Sequence, residues 1–278
     1  MKAIFDDVSS DCSKIATRSY STSFSLGIRF LDKKFHAPIY AIYGFVRFAD
    51  EIVDSFHDYD KAYLLQKFKE DAYEAIDKGI SLNPILNSFQ ACVKKYHIEK
   101  ELTDSFLNSM EMDLHANSYN QSRYEAYIFG SAEVVGLMCL RVFAEGDDNL
   151  YQKLKPYALR LGAAFQKVNF LRDLNADFVG LGRTYFPDVN MQHFSLSDKR
   201  KIEQEIADDF REALKGIRLL PDSSRQGVYL AYVYYKSLFG KIQRLPAQSV
   251  IKRRISVPLQ EKFYLMLNSM LRYKMNVI

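Results

Sequence analysis

The sequence predicts an all-α protein that folds as a single domain. Apolar residues recur with the helical period over most of the chain, and the alternation typical of half-buried strands is scarce. Only 7 prolines and 12 glycines occur in 278 residues, which favours long helices over a loop-rich fold. Neither a repeat of regular period nor a low-complexity linker divides the chain, so we expect residues 1–278 to form one domain.

The helical period predicts ten helices. We place them at residues 7–18, 38–56, 60–78, 84–95, 100–116, 123–143, 151–178, 197–219, 223–241 and 259–273. Pro38 and Pro84 are assigned to first-turn positions, where the missing N–H has no helical partner to lose. Ser197 and Asp198 are assigned to the start of their helix, and residues 180–187 to a loop.

Charge and cysteine content exclude several classes of protein. The formal charge of +4 is spread along the chain without a long basic block, so nucleic-acid binding is not expected. The three cysteines lie far apart with no CxxC pair, which favours a reduced, cytoplasmic protein without a zinc site or disulfides.

Membrane insertion is not expected either. Asp6 and Asp7 lie where a signal peptide needs apolar residues. The longest apolar run near the middle of the chain, residues 134–140, is much shorter than the roughly 20 residues that cross a bilayer. We therefore expect neither a spanning segment nor a transmembrane tail.

A first pair of aspartates shares one face of a predicted helix. Tyr43, Arg47, Asp50 and Asp54 fall within an arc of about 60° at 100° per residue. Asp50 and Asp54 are one turn apart, so their charges repel in a bare helix. A divalent cation removes this repulsion, and Mg²⁺ accepts carboxylate together with phosphate oxygens. The alternative is a solvent-exposed face on which Arg47 pairs with Asp50.

A second helix face repeats this geometry. Its polar residues, within an arc of about 80°, are Gly162, Gln166, Asn169, Asp173 and Asp177. The opposite side carries Leu161, Ala164, Phe165, Val168, Leu171 and Phe178. Solvated helix faces usually carry Lys and Glu, whereas Gln, Asn and Asp suit ordered polar contacts. With Arg183 and Tyr185 nearby, the two faces predict metal ions that clamp a diphosphate while arginines take its remaining charge.

These residues resemble the squalene and phytoene synthase family. The second family signature is matched by Leu161-Gly162, Gln166, Asn169, Arg172-Asp173, Asp177 and Arg183-x-Tyr185-x-Pro187. The first is matched by Tyr43, Arg47-x-x-Asp50-Glu51-x-x-Asp54, with Glu51 where the family often has Asp. Ser21-Thr22-Ser23-Phe24 resembles the family's diphosphate-contacting Ser-x-Ser-Phe element.

The resemblance is weaker in two places. Residues 127–142 are similar to a further signature, but Ile128 and Glu133 stand where small residues are usual. Such a change affects how closely the helices approach or how the pocket is shaped. Beyond Pro221 the similarity is limited to Tyr235 and the basic run at 252–254, which includes Arg254.

The resemblance implies an isoprenoid-synthase-type helical bundle around a central cavity. It also implies about three Mg²⁺ ions, or Mn²⁺ in their place, bridging two diphosphates. The implied metal ligands are Asp50, Asp54, Asn169, Asp173 and Asp177, and the implied catalytic residues are the four aspartates with Tyr43 and Arg47. The implied substrate contacts are Ser21, Ser23, Phe24, Arg47, Tyr127, Gln166, Asn169, Arg172, Arg183, Tyr185, Tyr235 and Arg254.

The implied reaction is head-to-head condensation of two prenyl diphosphates through a cyclopropyl diphosphate. We expect phytoene from geranylgeranyl diphosphate, and keep open squalene or dehydrosqualene from farnesyl diphosphate. NADPH is not expected, because Gly180-Leu181-Gly182 follows a helix rather than the strand that a dinucleotide fingerprint needs.

Two functions from other classes are less consistent with the sequence. A non-catalytic relative should have lost metal ligands, but both aspartate pairs are present. A di-iron bundle needs Glu-x-x-His, and none of the five histidines has Glu three residues before it.

The lipid substrate raises the question of membrane contact. The amphipathic, basic-flanked residues 252–274 predict peripheral association with the inner face of the cell membrane. The alternative is that the apolar residues of this stretch pack on the core. The sequence indicates neither the oligomeric state nor the substrate chain length.

Overall fold

The computed structural model describes residues 1–115, 119–175, 184–187, 189–190, 193–252, 254–275 and 278. Most of these residues are helical, which confirms the all-α class. The helices are α1 (Lys2–Tyr20), α2 (Thr22–Arg29), α3 (Lys33–Ser55), α4 (Lys61–Lys78), α5 (Pro84–Tyr96), α6 (Lys100–His115), α7 (Gln121–Ile128), α8 (Val134–Ala144), α9 (Asp148–Asn175), α10 (Leu196–Leu219), α11 (Asp222–Gln243), α12 (Ala247–Lys252) and α13 (Leu259–Lys274).

Helix α3 begins at Lys33, and Pro38 lies inside it rather than in its first turn. The cap is Asp32, whose carboxylate accepts a hydrogen bond from the backbone N of Lys34 at 3.0 Å. Pro38 offers no N–H to the carbonyl four residues earlier, so α3 lacks one internal hydrogen bond there. The first-turn prediction for Pro38 was wrong because the aspartate cap precedes it. The same prediction for Pro84 is confirmed at the start of α5.

The short helices α2 and α12 were not predicted, since 8 and 6 residues are too few for the helical period to be recognised. Ser21 separates α1 from α2 with an extended backbone, and its hydroxyl accepts a hydrogen bond from the N of Phe24 at 3.2 Å. Helix α10 begins at Leu196, because the capping box is formed by Ser195 and Asp198 rather than by Ser197.

The predicted helix at 123–143 is a longer helical segment, residues 121–144, with a π-helical turn at Phe129–Glu133. A Cβ at Gly130 in this turn would lie 2.5 Å from the carbonyl oxygen of Ser105 in α6. The backbones of α6 and this turn are therefore in direct contact. By length and mean hydropathy alone the segment could cross a membrane, contrary to the sequence expectation, but 50 % of its apolar window is buried as in a core helix.

Two hydrophobic clusters form the interior. The first joins α3 with α4, α5, α6 and α8, and Phe45 stacks on Phe89 there with 3.8 Å between ring centroids. The second surrounds α9 and includes residues of α7, α10, α11 and α12. Because α3 and α9 each pack one apolar side into a cluster, their remaining sides can line the space between the clusters.

Candidate active site

A cavity of about 590 Å³ lies between the two clusters. Its wall follows α3 from Ile39 to Asp54, and follows α9 from Leu154 to Asp173. At 1.5 Å per residue these stretches are about 22 Å and about 28 Å long. On both helices the lining residues are apolar at first and charged at the end, so the cavity has an apolar end and a polar end.

Most of the predicted site residues line this one cavity. They are Ser21, Phe24, Tyr43, Arg47, Asp50, Asp54, Tyr127, Gln166, Asn169, Arg172, Asp173, Tyr185, Tyr235 and Arg254. Ser23 is half-buried and is not among the lining residues. Asp177, Arg183 and the Gly-x-Gly element at 180–182 lie outside the described residues.

The α3 carboxylates are held close to an arginine. Arg47 donates to Asp50 Oδ2 at 2.5 Å and also to Glu51, and its guanidinium lies 4.3 Å from the centroid of the Tyr20 ring. Asp50 keeps 35 % of its side chain accessible, facing the cavity. Burial and the neighbouring Asp54 raise the pKa of Asp50 to about 7, although Arg47 opposes the shift. The protonated form of Asp50 is therefore favoured more here than in water.

Asp173 on α9 is held by two arginines. Arg172 approaches Asp173 Oδ2 at 2.5 Å, and Arg254, from beyond α12, approaches Oδ1 at 3.0 Å. One turn earlier, Asn169 Oδ1 accepts a hydrogen bond from the Tyr235 hydroxyl at 3.3 Å. These contacts bring residues of the weakly matched C-terminal part of the chain to the second aspartate motif.

The donor set is compatible with a hard divalent cation. Within the described residues, no three His, Cys, Asp or Glu side chains converge on one metal position. Asp50, Asp54 and Asp173 nevertheless line the same cavity with carboxylate oxygens, and a bound cation would relieve the repulsion between Asp50 and Asp54. Mg²⁺ and Mn²⁺ prefer oxygen ligands, and Mg²⁺ usually takes one or two carboxylates with water and substrate phosphate. The described residues thus fit these ions with the remaining ligands supplied by the substrate.

An aromatic wall adjoins the polar end and depends on Asp113, which the sequence did not single out. Asp113 is buried on α6 and accepts hydrogen bonds from the hydroxyls of Tyr119 at 3.1 Å and Tyr127 at 2.6 Å. Tyr185 is stacked on Phe170 with 4.1 Å between centroids, and its centroid lies 5.3 Å from that of Tyr127. The sequence contained a signal for this role. Asp113 continues the row of buried residues on α6, and a buried acid needs a hydrogen-bond partner.

The two departures from the family pattern do not enter the cavity. Ile128 is buried, and Glu133 is not among the lining residues. Burial raises the pKa of Glu133 to about 7, opposed by Lys167. The Glu133 backbone is in close contact with α9, since a Cβ at Gly162 would lie 2.8 Å from Glu133 Cα. The acid therefore does not prevent close packing of these helices.

Comparison with known proteins identifies one family. A family model described as squalene/phytoene synthase matches residues 17–261. The phytoene synthase of Arthrospira platensis is 25 % identical over 272 residues, covering 88 % of this chain and 87 % of that protein. Phytoene synthase 1 of Solanum lycopersicum is 26 % identical, covering 84 % of this chain, which spans only 61 % of that protein's length.

Further similarities include proteins named for other products. The 4,4'-diapophytoene synthase of Staphylococcus haemolyticus is 23 % identical, covering 92 % of this chain and 94 % of that protein. A solved dehydrosqualene synthase superimposes with a TM-score of 0.83 at 18 % identity, covering 97 % of this chain and 98 % of the other. At that identity the structural likeness establishes the fold alone.

Proposed function

Since the chain belongs to the squalene/phytoene synthase family, we propose that it condenses two prenyl diphosphates head to head in this cavity. The observation that carries the proposal is the placement of three aspartates from the two motifs. Asp50 and Asp54 on α3 and Asp173 on α9 line the polar end of one cavity whose other end is apolar. Such a cavity suits a substrate with a charged diphosphate head and a long hydrocarbon tail.

The polar end binds the diphosphates. Arg47, Arg172 and Arg254 line it and supply guanidinium groups for the phosphate oxygens. Asp50, Asp54 and Asp173 would hold Mg²⁺ or Mn²⁺, joined by Asn169 and by Asp177. When bound, these ions supply Lewis-acid stabilisation of the leaving diphosphate.

Aromatic rings along the cavity suit the cationic chemistry. The allylic C–O bond breaks with its electron pair leaving on diphosphate, and the double bond of the second substrate attacks the resulting cation. Proton loss then closes a cyclopropyl ring, and a second ionisation with rearrangement follows. Phe24, Tyr43, Tyr127 and Tyr185 line the cavity, where their ring faces stabilise positive charge. Burial raises the pKa of Tyr43 to about 12, so its phenol stays neutral.

For the product we propose phytoene, formed from geranylgeranyl diphosphate by loss of a final proton and without NADPH. The bacterial and plant relatives named phytoene synthase support this choice. A second candidate is dehydrosqualene from farnesyl diphosphate, which the diapophytoene synthase relative favours because this chain matches nearly its full length.

Product analysis tests both candidates. The purified protein is incubated with geranylgeranyl or farnesyl diphosphate and Mg²⁺, with and without NADPH, and the extracted hydrocarbon is identified by mass. We expect phytoene from geranylgeranyl diphosphate without NADPH. A dominant product from farnesyl diphosphate transfers the assignment to dehydrosqualene, and a strict need for NADPH transfers it to squalene. Absence of pyrophosphate release from either substrate refutes the enzymatic proposal.

A further inference from the structure

Helix α13 exposes a row of large apolar side chains. Large apolar side chains recur every four residues on its outward side, and each is between 52 % and 65 % exposed. They are Leu259, Phe263, Leu267, Leu271 and Met275, with Tyr264 beside them. We call these six residues the α13 face. They account for six of the twenty large hydrophobic side chains exposed among the described residues, within seventeen positions. This concentration exceeds the scattered exposure that is normal for a soluble surface.

The other side of α13 contacts α11 and carries Glu261, the acidic residue of this helix. The carboxylate of Glu261 is bound by Lys241 Nζ at 2.5 Å and by the Ser237 hydroxyl at 3.0 Å, both on α11. All residues of α13 are among those that the structure describes, and none of its exposed residues is Asp or Glu. The exposed lysines Lys252, at the end of α12, and Lys274, in the last turn of α13, lie close to the two ends of the face along the chain. The α13 face is thus apolar and flanked by positive charge.

The start of α13 adjoins the polar end of the cavity. Lys262 Nζ donates to the hydroxyl of Thr22 at 2.8 Å, and the preceding Ser21 lines the cavity. Arg254, five residues before α13, bonds Asp173 in the same cavity. The first residues of the α13 face therefore lie near the place where a substrate's diphosphate binds.

We propose that the α13 face docks on an anionic lipid bilayer and so holds the polar end of the cavity close to the membrane surface. The apolar residues enter the boundary between headgroups and acyl chains, and the flanking lysines face the anionic headgroups. Tyr264 suits this boundary because its ring is apolar and its hydroxyl is polar. The choice of a bilayer over a protein partner rests on the proposed function, because its prenyl substrates and hydrocarbon product reside in membranes.

Vesicle flotation of the full chain without substrate tests the docking directly. Wild type is compared with a variant carrying Phe263→Ser, Leu267→Ser and Leu271→Ser. The matched control carries Tyr63→Ser, Ile80→Ser and Leu82→Ser, which change three exposed apolar residues on α4 and the loop after it. Vesicles of phosphatidylcholine are used with and without phosphatidylglycerol.

We expect wild type and the control to float with phosphatidylglycerol vesicles, and the α13 variant to bind at least about tenfold more weakly. Lys252→Gln and Lys274→Gln should each weaken binding to the anionic vesicles by about fivefold, and high salt should reduce the difference. Circular dichroism establishes that each variant is folded. Pyrophosphate release in detergent, which needs no membrane, reports separately on the proposed function.

Two results overturn the proposal. In the first, wild type and the α13 variant float equally, or neither floats. In the second, wild type forms a dimer without lipid, by analytical ultracentrifugation, and the α13 variant is monomeric, which assigns the face to a second copy of the chain.

Discussion

Gly162→Ala tests how closely α9 must pack against the π-helical turn at Phe129–Glu133 for the site to form. Gly162 lines the cavity one turn before Gln166. A Cβ there would lie 2.8 Å from both the Ala132 carbonyl oxygen and Glu133 Cα, where ordinary contact begins at 3.4 Å. Because both neighbours are backbone atoms, the clash can be relieved only by a displacement of the helices, of about 0.6 Å.

The magnitude follows from two opposing contributions. Overpacking of this kind costs up to about 3 kcal/mol, and the better helix propensity of Ala offsets about 1 kcal/mol of it. The net loss of about 2 kcal/mol lowers Tm by roughly 4–8 °C. Gln166, Asn169 and Asp173 move with α9, and since a 1 Å misplacement costs about 100-fold, a shift of this size should slow turnover by about tenfold.

Gly240→Ala is the matched control. Gly240 lies within α11, and a Cβ there would meet nothing within 4 Å. It should raise stability by up to about 1 kcal/mol through helix propensity alone and leave turnover unchanged. Melting by circular dichroism and pyrophosphate release measure both quantities. If Gly162→Ala melts as high as Gly240→Ala and turns over normally, the close-packing argument is refuted.

Three other changes test the polar end of the cavity. Asp50→Ala or Asp173→Ala should abolish Mg²⁺-dependent pyrophosphate release while circular dichroism shows unchanged helix content, because both acids line the proposed metal site. In metal-free protein, burial and Asp54 raise the pKa of Asp50 to about 7, so ionised Asp50 destabilises the fold above that pH. Asp50→Asn should therefore melt higher than wild type at pH 8 in chelator, and this advantage should decline as pH falls from 7 towards 4. Tyr127→Phe removes a 2.6 Å hydrogen bond to Asp113, which should cost about 2 kcal/mol, yet turnover should exceed that of Tyr127→Leu because the ring remains.

One result would refute each of these three predictions. Normal turnover in either alanine variant removes the metal assignment. An Asp50→Asn advantage that grows towards acid pH contradicts the raised pKa of Asp50. Equal turnover of the Phe and Leu variants at Tyr127 shows that its ring face takes no part in the reaction.

Sequence reasoning was most successful where a helix has one buried side. On α3, the four polar residues predicted to share one face all line the cavity, and Ile42, Phe45, Ala49 and Ile52 on the other side are buried. On α9 the predicted division into a polar side and an apolar side was less accurate. Leu161 and Phe165, placed opposite the polar residues, also line the cavity. A helix beside an apolar cavity has two apolar sides, and the period alone does not distinguish core from cavity wall.

The fold class, the family and three acids of the cavity wall, Asp50, Asp54 and Asp173, were predictable from the sequence alone. These depend on helical period and on the spacing of residues within one helix, which are local properties. Three other contacts and exposures are visible only in the packed molecule: Arg254 reaches Asp173, Asp113 accepts a hydrogen bond from Tyr127, and the apolar residues of α13 face outward. Each of these depends on how distant helices pack, and packing is set by burial over the whole chain rather than by any one segment.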